Sequence, residues 1–414
     1  MKTEIITIGD ELLIGQTTDT NSQWMARQLS NQGLQVGRIT SLPDDPKVLV
    51  EAFHQAAGRS HAVLVTGGLG PTRDDVTRQA ISRFFEVEWK MNSDVYRRLE
   101  HYLTQRGYGV SALNRDQAQT PEGARVFINQ VGTAPAMGLE SQGCWFYFMP
   151  GVPPEMRALM ESAILPELLS RQDKYHYLYK IILTQGLPEA HLAERLKVYE
   201  QQLPQHLKLA YLPGEGLVRL RLSGRLTDKN HLQADLQQWL THMKELIAPY
   251  IVHVGDEPLE QLIGRLLAER RQTLATGESC TGGTIAGRIT SVAGSSRYFK
   301  GSVVAYSNQV KKDMLGVVNA TLAQHGAVSQ QVVEEMARGT RKAFQSDYAI
   351  AVSGIAGPGG DTPDKSVGTT WIAVAGPDKS HTRWFHFGQD RELNILKASN
   401  TALVMLKRMI SDEF

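Results

Sequence analysis

The sequence predicts an α/β protein assembled in three parts, and three observations carry that expectation. Apolar runs of strand length alternate with helical periodicity in residues 1–168, the same alternation returns in residues 256–414, and a stretch of different character, 172–250, separates them. At 414 residues the chain is also past the size at which a single hydrophobic core keeps growing.

In the first part, Glu4–Ile8, Leu34–Ile39, Ala62–Val65 and Trp145–Met149 read as strands. Asn21–Asn31, Pro46–Ala57 and Ser93–Gln105 read as helices between them. This rhythm implies a doubly wound parallel sheet, whose ligands bind at the carboxyl ends of strands. The first and third strands run straight into Gly9-Asp10-Glu11 and Thr66-Gly67-Gly68-Leu69-Gly70.

The middle part reads as a small α+β module. His176–Thr184 is a strand, Glu189–Gln201 a helix, Leu207–Leu212 and Leu217–Leu222 a strand pair around Pro213-Gly214-Glu215-Gly216, and Leu232–Ile247 a second helix. It holds no cluster of catalytic residue types, so it is expected to be a spacer or dimerisation element of a homodimer.

The third part opens with the amphipathic helix Leu259–Arg270. Strands are expected at Gln272–Ala275, Ser302–Ala305, Tyr348–Val352, Thr369–Ala375 and Arg383–Phe387, and the last helix at Glu392–Ile410. Its class is again α/β.

Composition narrows the functions. With 44 basic and 43 acidic residues, net charge +1, the chain has no electrostatic footprint for a nucleic-acid backbone, and no nucleic-acid partner is expected. Cys144 and Cys280 alone exclude a disulfide scaffold and suit a reducing cytoplasm. Charges break the apolar runs of MKTEIITIGDELLIG, which reads as a buried strand rather than a signal peptide. No long uncharged apolar stretch exists, so a soluble cytoplasmic protein without membrane contact is expected.

Chemistry concentrates in the third part. Thr276-Gly277-Glu278-Ser279-Cys280-Thr281-Gly282-Gly283 follows a strand and leads into a helix, where unpaired N–H groups and the helix dipole favour a developing oxyanion. Lys311, just after Tyr306-Ser307-Asn308, is a candidate base for Ser279 if its pKa falls from about 10.4 towards 7–8. Ser353-Gly354-Ile355-Ala356-Gly357-Pro358 has exposed amides suited to a phosphate, and Arg391 could clamp the same anion. Singly, each has a plainer reading: Ser279 as an N-cap, Lys311 as solvated surface, the glycine loop as a turn. Cys280 rivals Ser279 unless it faces the core.

Together, Glu278 to Gly283, Tyr306-Ser307-Asn308 with Lys311, His325-Gly326-Ala327-Val328-Ser329 and Ser353 to Pro358 resemble, in order and spacing, the nicotinamide mononucleotide deamidases of the CinA/PncC family. The resemblance implies Ser279 as nucleophile, Lys311 as base, and Tyr306, Thr281, Gly282, Gly283, Ser353, Gly354, Ile355, Gly357 and Arg391 as supporting or substrate-binding groups. The implied reaction converts the nicotinamide carboxamide to a carboxylate with release of ammonia, without a metal. Asp361 and Ser366 depart from the glycine and proline expected there.

In the first part, Thr66 to Thr77 places a glycine turn ahead of Asp74 and Asp75, which suit a divalent cation holding a pyrophosphate. Asp10, Glu11 and Asp19 form a second acidic cluster. The plainer reading is an acidic first turn complementing a helix dipole. With Gly9 to Leu13, Asp19-Thr20-Asn21, Gly67 to Thr77 and Met149 to Met156, this part resembles the CinA N-terminal domain, related to the molybdopterin-binding fold. The resemblance implies hydrolysis of ADP-ribose with a divalent metal, magnesium or a transition metal such as cobalt, and potassium as a further cation. It implies Gly67, Gly68, Gly70, Thr72, Asn21 and Gly151 as substrate-binding groups. Ala136 stands where glycine is expected. The alternatives are a pterin- or nucleotide-binding module without hydrolysis, and a non-enzymatic competence or recombination partner.

Overall fold

Residues 1–70, 76–172 and 175–413 are described by the computed structural model, and they form two compact units: Met1–Leu178 with Arg225–Gln233, and Tyr179–Gly224 with Ala234–Phe414. The strands, in chain order, begin with β1 (Lys2–Ile8), β2 (Gln35–Leu42) and β3 (Ala62–Thr66). A short ribbon of β4 (Trp89–Met91) and β5 (Gln119–Pro121) follows, then β6 (Arg125–Phe127), β7 (Ala136–Ser141) and β8 (Cys144–Met149).

The first sheet has the order β2-β1-β3-β8-β7-β6. All five residues of β3 are buried, as expected for a central strand covered on both faces. Phe53 packs edge-on against Phe84, Phe146 and Phe148 on one face, at 5.6–5.7 Å between centroids. Met25, Leu29, Met156 and Ile164 fill the other. The sheet is doubly wound, but not wholly parallel: β7 runs antiparallel to β8, and β6 to β7. The reason is local. Gln142 (φ 55°) and Gly143 (φ 78°) make a two-residue left-handed turn between Ser141 and Cys144, a connection that can only fold the chain back as a hairpin.

The middle sheet comprises β9 (His176–Thr184), β10 (Leu207–Pro213), β11 (Val218–Leu226) and β12 (Ile251–Val254), in the order β10-β11-β9-β12. The four-residue β12 is too short to show a period, and was not anticipated. Helix Glu189–Gln202 buries Leu192, Leu196 and Tyr199, and the Tyr199 ring meets Trp239 at 5.3 Å.

In the C-terminal domain, β13 (Leu274–Glu278), β14 (Phe299–Val304) and β15 (Tyr348–Gly354) are parallel, while β16 (Thr369–Ala375) and β17 (Ser380–His386) are antiparallel. Their order is β14-β13-β15-β16-β17. The strand expected at Gln272–Ala275 starts later because Arg271, at φ 55°, and the Gln272 amide bound to Leu267 still belong to the end of the preceding helix. Thr276, Gly277 and Glu278 are therefore strand residues, and the turn begins at Ser279. A Cβ on Gly277 would lie 2.4 Å from Thr340 Oγ, so glycine here lets helix Gln330–Phe344 approach the sheet.

Candidate active site

Glu278 ends β13 fully buried, and its carboxylate organises the following turn. Oε2 accepts from the Gly283 and Ile285 amides, both at 3.1 Å, and Oε1 accepts from Ala286 at 2.8 Å. These are the unpaired donors at the start of helix Thr284–Thr290 that the sequence offered to an oxyanion. They are spent inside the protein instead. Gly282 and Gly283 adopt left-handed φ values of 61° and 96°, which keep the turn tight enough for one carboxylate to reach all three amides. Two amides of this turn, those of Cys280 and Thr281, have no carbonyl or carboxylate partner among the described residues.

Ser279 is 8 % exposed. Its Oγ lies 3.1 Å from Lys311 Nζ, which also donates to the carbonyls of Ala305 at 2.7 Å and Tyr306 at 3.5 Å. Lys311 comes from helix Asn308–Leu315, whose start is capped by the Ser307 hydroxyl accepting from Val310 N at 3.2 Å. Lys311 is 1 % exposed, and burial lowers its pKa below the usual lysine value. A neutral amine has two N–H bonds and one lone pair. As an ammonium, Lys311 donates to Ser279 Oγ as well; once neutral, with both donors aimed at carbonyls, its lone pair would face the Ser279 hydroxyl.

Cys280 belongs to the hydrophobic core, and burial pushes its thiol pKa up to about 12. It is an inert neighbour of the serine. Thr281 is also buried, and its hydroxyl oxygen has no partner among the described residues.

Other predicted residues lie near this pair. Arg391 opens helix Arg391–Ile410, capped by Asp390, which accepts from Leu393 N at 2.8 Å. Its guanidinium donates to the Gly357 carbonyl at 2.6 Å and to the Tyr306 hydroxyl at 3.1 Å. Tyr306 is itself 61 % exposed, so the ring lies open while its hydroxyl is tethered. Gly357 has φ 97°, which bends the loop towards Arg391. Ser353 is buried and donates to the Ala327 carbonyl at 2.7 Å, and Ile355 is buried as well. At Gly354 a Cβ would meet Thr370 Oγ1 at 2.7 Å and Cys280 Sγ at 3.1 Å, so the residue serves close packing. Glu278 and Asn394 were missed as functional residues. Asn394 donates to the Ala356 and Gly388 carbonyls at 2.9 and 3.0 Å and pins the loop to the helix. Neither role has a signal in a single sequence, because a strand-end acid and a helical asparagine both read as surface.

In the N-terminal unit a cavity of about 490 Å³ opens at the carboxyl ends of β1, β3 and β8. Gly67, Gly68, Gly70 and Gly151 line it, as do Glu11, Asp44 and Glu155. A Cβ at Gly67 would sit 2.2 Å from the Ile8 carbonyl oxygen, so only glycine fits where these strand ends converge. Asn21 donates to the Gly151 carbonyl at 2.7 Å from an adjoining recess of about 140 Å³. The acidic cluster is not a single group. Asp19 caps helix Thr20–Asn31 through Ser22 N at 2.9 Å and accepts from Thr7 Oγ at 3.1 Å. Asp10 turns to Asp44, each backbone N–H donating to the other's carboxylate at 3.1 and 3.3 Å. Among the described residues no three such side chains form a metal-binding group. Thr72, Asp74 and Asp75 lie outside the described residues. Ala136 is buried within β7, against the sheet rather than in the cavity lining. Asp44 and Glu155 were not anticipated. Glu155 accepts from Asn129 Nδ2 at 2.6 Å, and burial raises its pKa despite that bond.

Among the described residues no helix is long and apolar enough to cross a membrane.

Three family models match the chain: a probable molybdopterin binding domain over residues 4–170, the damage-inducible protein CinA KH domain over 179–252, and the CinA C-terminal domain over 256–410. A CinA-like protein of Flavobacterium psychrophilum is 41% identical over 99% of both chains. Another, from Cytophaga hutchinsonii, is 40% identical over 99% of this chain and 98% of its own. The crystal structure of the competence/damage inducible protein CihA from Agrobacterium tumefaciens is 38% identical across 36% of this chain and 91% of that one, with a TM-score of 0.35.

Proposed function

This chain belongs to the CinA family, and from that premise we propose that its C-terminal domain hydrolyses the carboxamide of nicotinamide mononucleotide. The observation that carries the reading is the buried amine of Lys311 placed 3.1 Å from Ser279 Oγ, with its pKa lowered by burial. In the proposed reaction the Ser279 oxygen bonds to the amide carbon while its proton passes to Lys311 Nζ. The amide oxygen takes the negative charge, and the Cys280 and Thr281 N–H groups are the donors left to meet it. Lys311 returns the proton to the departing nitrogen, which leaves as ammonia. Water then attacks the acyl-enzyme, giving nicotinic acid mononucleotide and free Ser279. Arg391 and the Gly357 loop are the candidate phosphate contacts. No metal enters this scheme.

For the N-terminal unit the reading is cleavage of ADP-ribose to AMP and ribose 5-phosphate. The glycine-lined cavity supports it, with Glu11 and Asp44 on the wall. Magnesium is commonly held by one or two carboxylates together with substrate phosphates, a donor set that these two residues and a pyrophosphate would supply. Such an ion would neutralise the pyrophosphate charge. A transition metal such as cobalt and a potassium ion remain part of this reading. The protein's contribution is to orient the phosphates on the glycine amides.

The test is ammonia release from nicotinamide mononucleotide by the full chain and by Ser279→Ala. Turnover confined to the unaltered protein supports the reading, and equal rates refute it.

A further inference from the structure

The hairpin between β10 and β11 reaches out of the middle module and rests on the last helix of the C-terminal domain. Asn400 Nδ2 donates to the Glu215 carbonyl at its tip, at 2.8 Å. Gln185 Nε2 donates to Thr401 Oγ at 3.1 Å one residue further along. On its other side Asn400 Oδ1 accepts from Arg288 Nη1 at 2.7 Å, and Nη2 of that guanidinium pairs with Glu260 at 2.8 Å. Asn400 is 7 % exposed, so these bonds are sheltered from water.

Arg288 lies on helix Thr284–Thr290, whose first amides are held by Glu278 directly before Ser279. Asn400 lies on helix Arg391–Ile410, whose first residue pins Tyr306 and Gly357. One asparagine–arginine contact therefore ties the helix that follows Ser279 to the helix whose first residue holds Tyr306 and Gly357, and the hairpin carbonyl fixes the asparagine. The amide side chain cannot make both bonds in a flipped orientation, because Glu215 offers an acceptor and Arg288 a donor.

We propose that Asn400 and Arg288 are positioning residues through which the middle-module hairpin sets the reactivity of Ser279. This rests on the serine reading above. Displacements near 1 Å in a reacting group cost up to about 100-fold in rate, so a loosened clamp is expected to slow Ser279 measurably without touching Lys311.

The test uses the full chain and a fluorophosphonate reagent, which forms a bond to an activated serine oxygen with loss of fluoride and needs no assumed substrate. Ser279 in the unaltered protein is expected to label, and Ser279→Ala not to. Asn400→Asp keeps the acceptor for Arg288 and removes the donor to Glu215. It is expected to label about tenfold more slowly at a temperature well below its melting point. Arg288→Ala should slow labelling similarly, and the double variant no further, because both act through one contact. If the clamp only adds stability, its loss would lower the melting temperature and leave the labelling rate unchanged. If Arg288→Ala does not fold, the near-isosteric Asn400→Asp decides the question alone. Unaltered labelling in Asn400→Asp overturns the positioning role. Absence of labelling in the unaltered protein overturns the serine reading instead, and this inference with it.

Discussion

Lys311 Nζ sits 3.1 Å from Ser279 Oγ and 2.7 Å from the Ala305 carbonyl, a placement that holds a lysine amine against a serine with no carboxylate bonded to it among the described residues. Replacing Lys311 with Met keeps much of the buried volume and removes the base. Amide hydrolysis is expected to fall by about 100-fold or more. Two carbonyls lose their donor, at a cost of about 1–3 kcal/mol. Ammonia release and thermal melting on the same sample check both halves, and a Lys311→Met protein with near-normal turnover would remove lysine from the mechanism.

The pH profile follows from the same burial. The base works only when neutral, so kcat/KM should rise with pH through the lowered pKa of Lys311 and then level off. Stability carries the matching sign. Between the lowered folded pKa and the unfolded value near 10.5, the unfolded chain binds more protons, so Lys311 makes stability rise with pH in that window. The rise should vanish in Lys311→Met, as measured by denaturant unfolding across alkaline pH.

Cys280 is expected to be chemically silent. Its thiol, pushed up to about 12, stays protonated at neutral pH and should resist alkylation in the folded protein. Cys280→Ala should retain activity within a few-fold and lose about 1–2 kcal/mol of stability from the core. Rapid alkylation of Cys280 that abolishes turnover would make the sulfur, rather than the oxygen, the nucleophile.

Glu278→Gln tests the turn. A carboxylate accepts all three amides of Gly283, Ile285 and Ala286, whereas a carboxamide must present an NH₂ group to at least one of them. The expected loss is about 2–3 kcal/mol of stability, with about a 10-fold slower amide hydrolysis from a displaced serine. A variant as stable and active as the parent would show that the carboxylate is not needed.

The two proposed activities should separate on chelation. EDTA is expected to abolish release of AMP from ADP-ribose and to spare ammonia release. Asp44→Asn and Glu11→Gln should weaken only the first, each by about 10-fold or more. Chelation that stops ammonia release would place a metal in the deamidation reaction.

Much of this was legible in the sequence where local chemistry decides the outcome. His176–Thr184 and Thr369–Ala375 have the bounds their apolar patterns predict, and Ser279 and Lys311 meet across the ends of neighbouring strands. What was hidden depends on which strands become neighbours. Asp44 reaches the N-terminal cavity only because β2 pairs with β1, and Asp19, which shares a recess with Glu11, also caps a helix because Ser22 and Thr7 each bond one of its oxygens. The helix-start amides were visible, but their capture by Glu278 was not, because a strand-final acid folding back on the next turn resembles an ordinary surface carboxylate.

The near-complete enclosure of Ser279 has a consequence for a cell crowded with other acyl compounds. An attacking oxygen recessed in this way would meet a small acyl or phosphonyl compound more readily than a peptide bond held within a folded protein. On the serine reading, recession alone would then spare folded proteins from the reactive oxygen, with no separate inhibitor required.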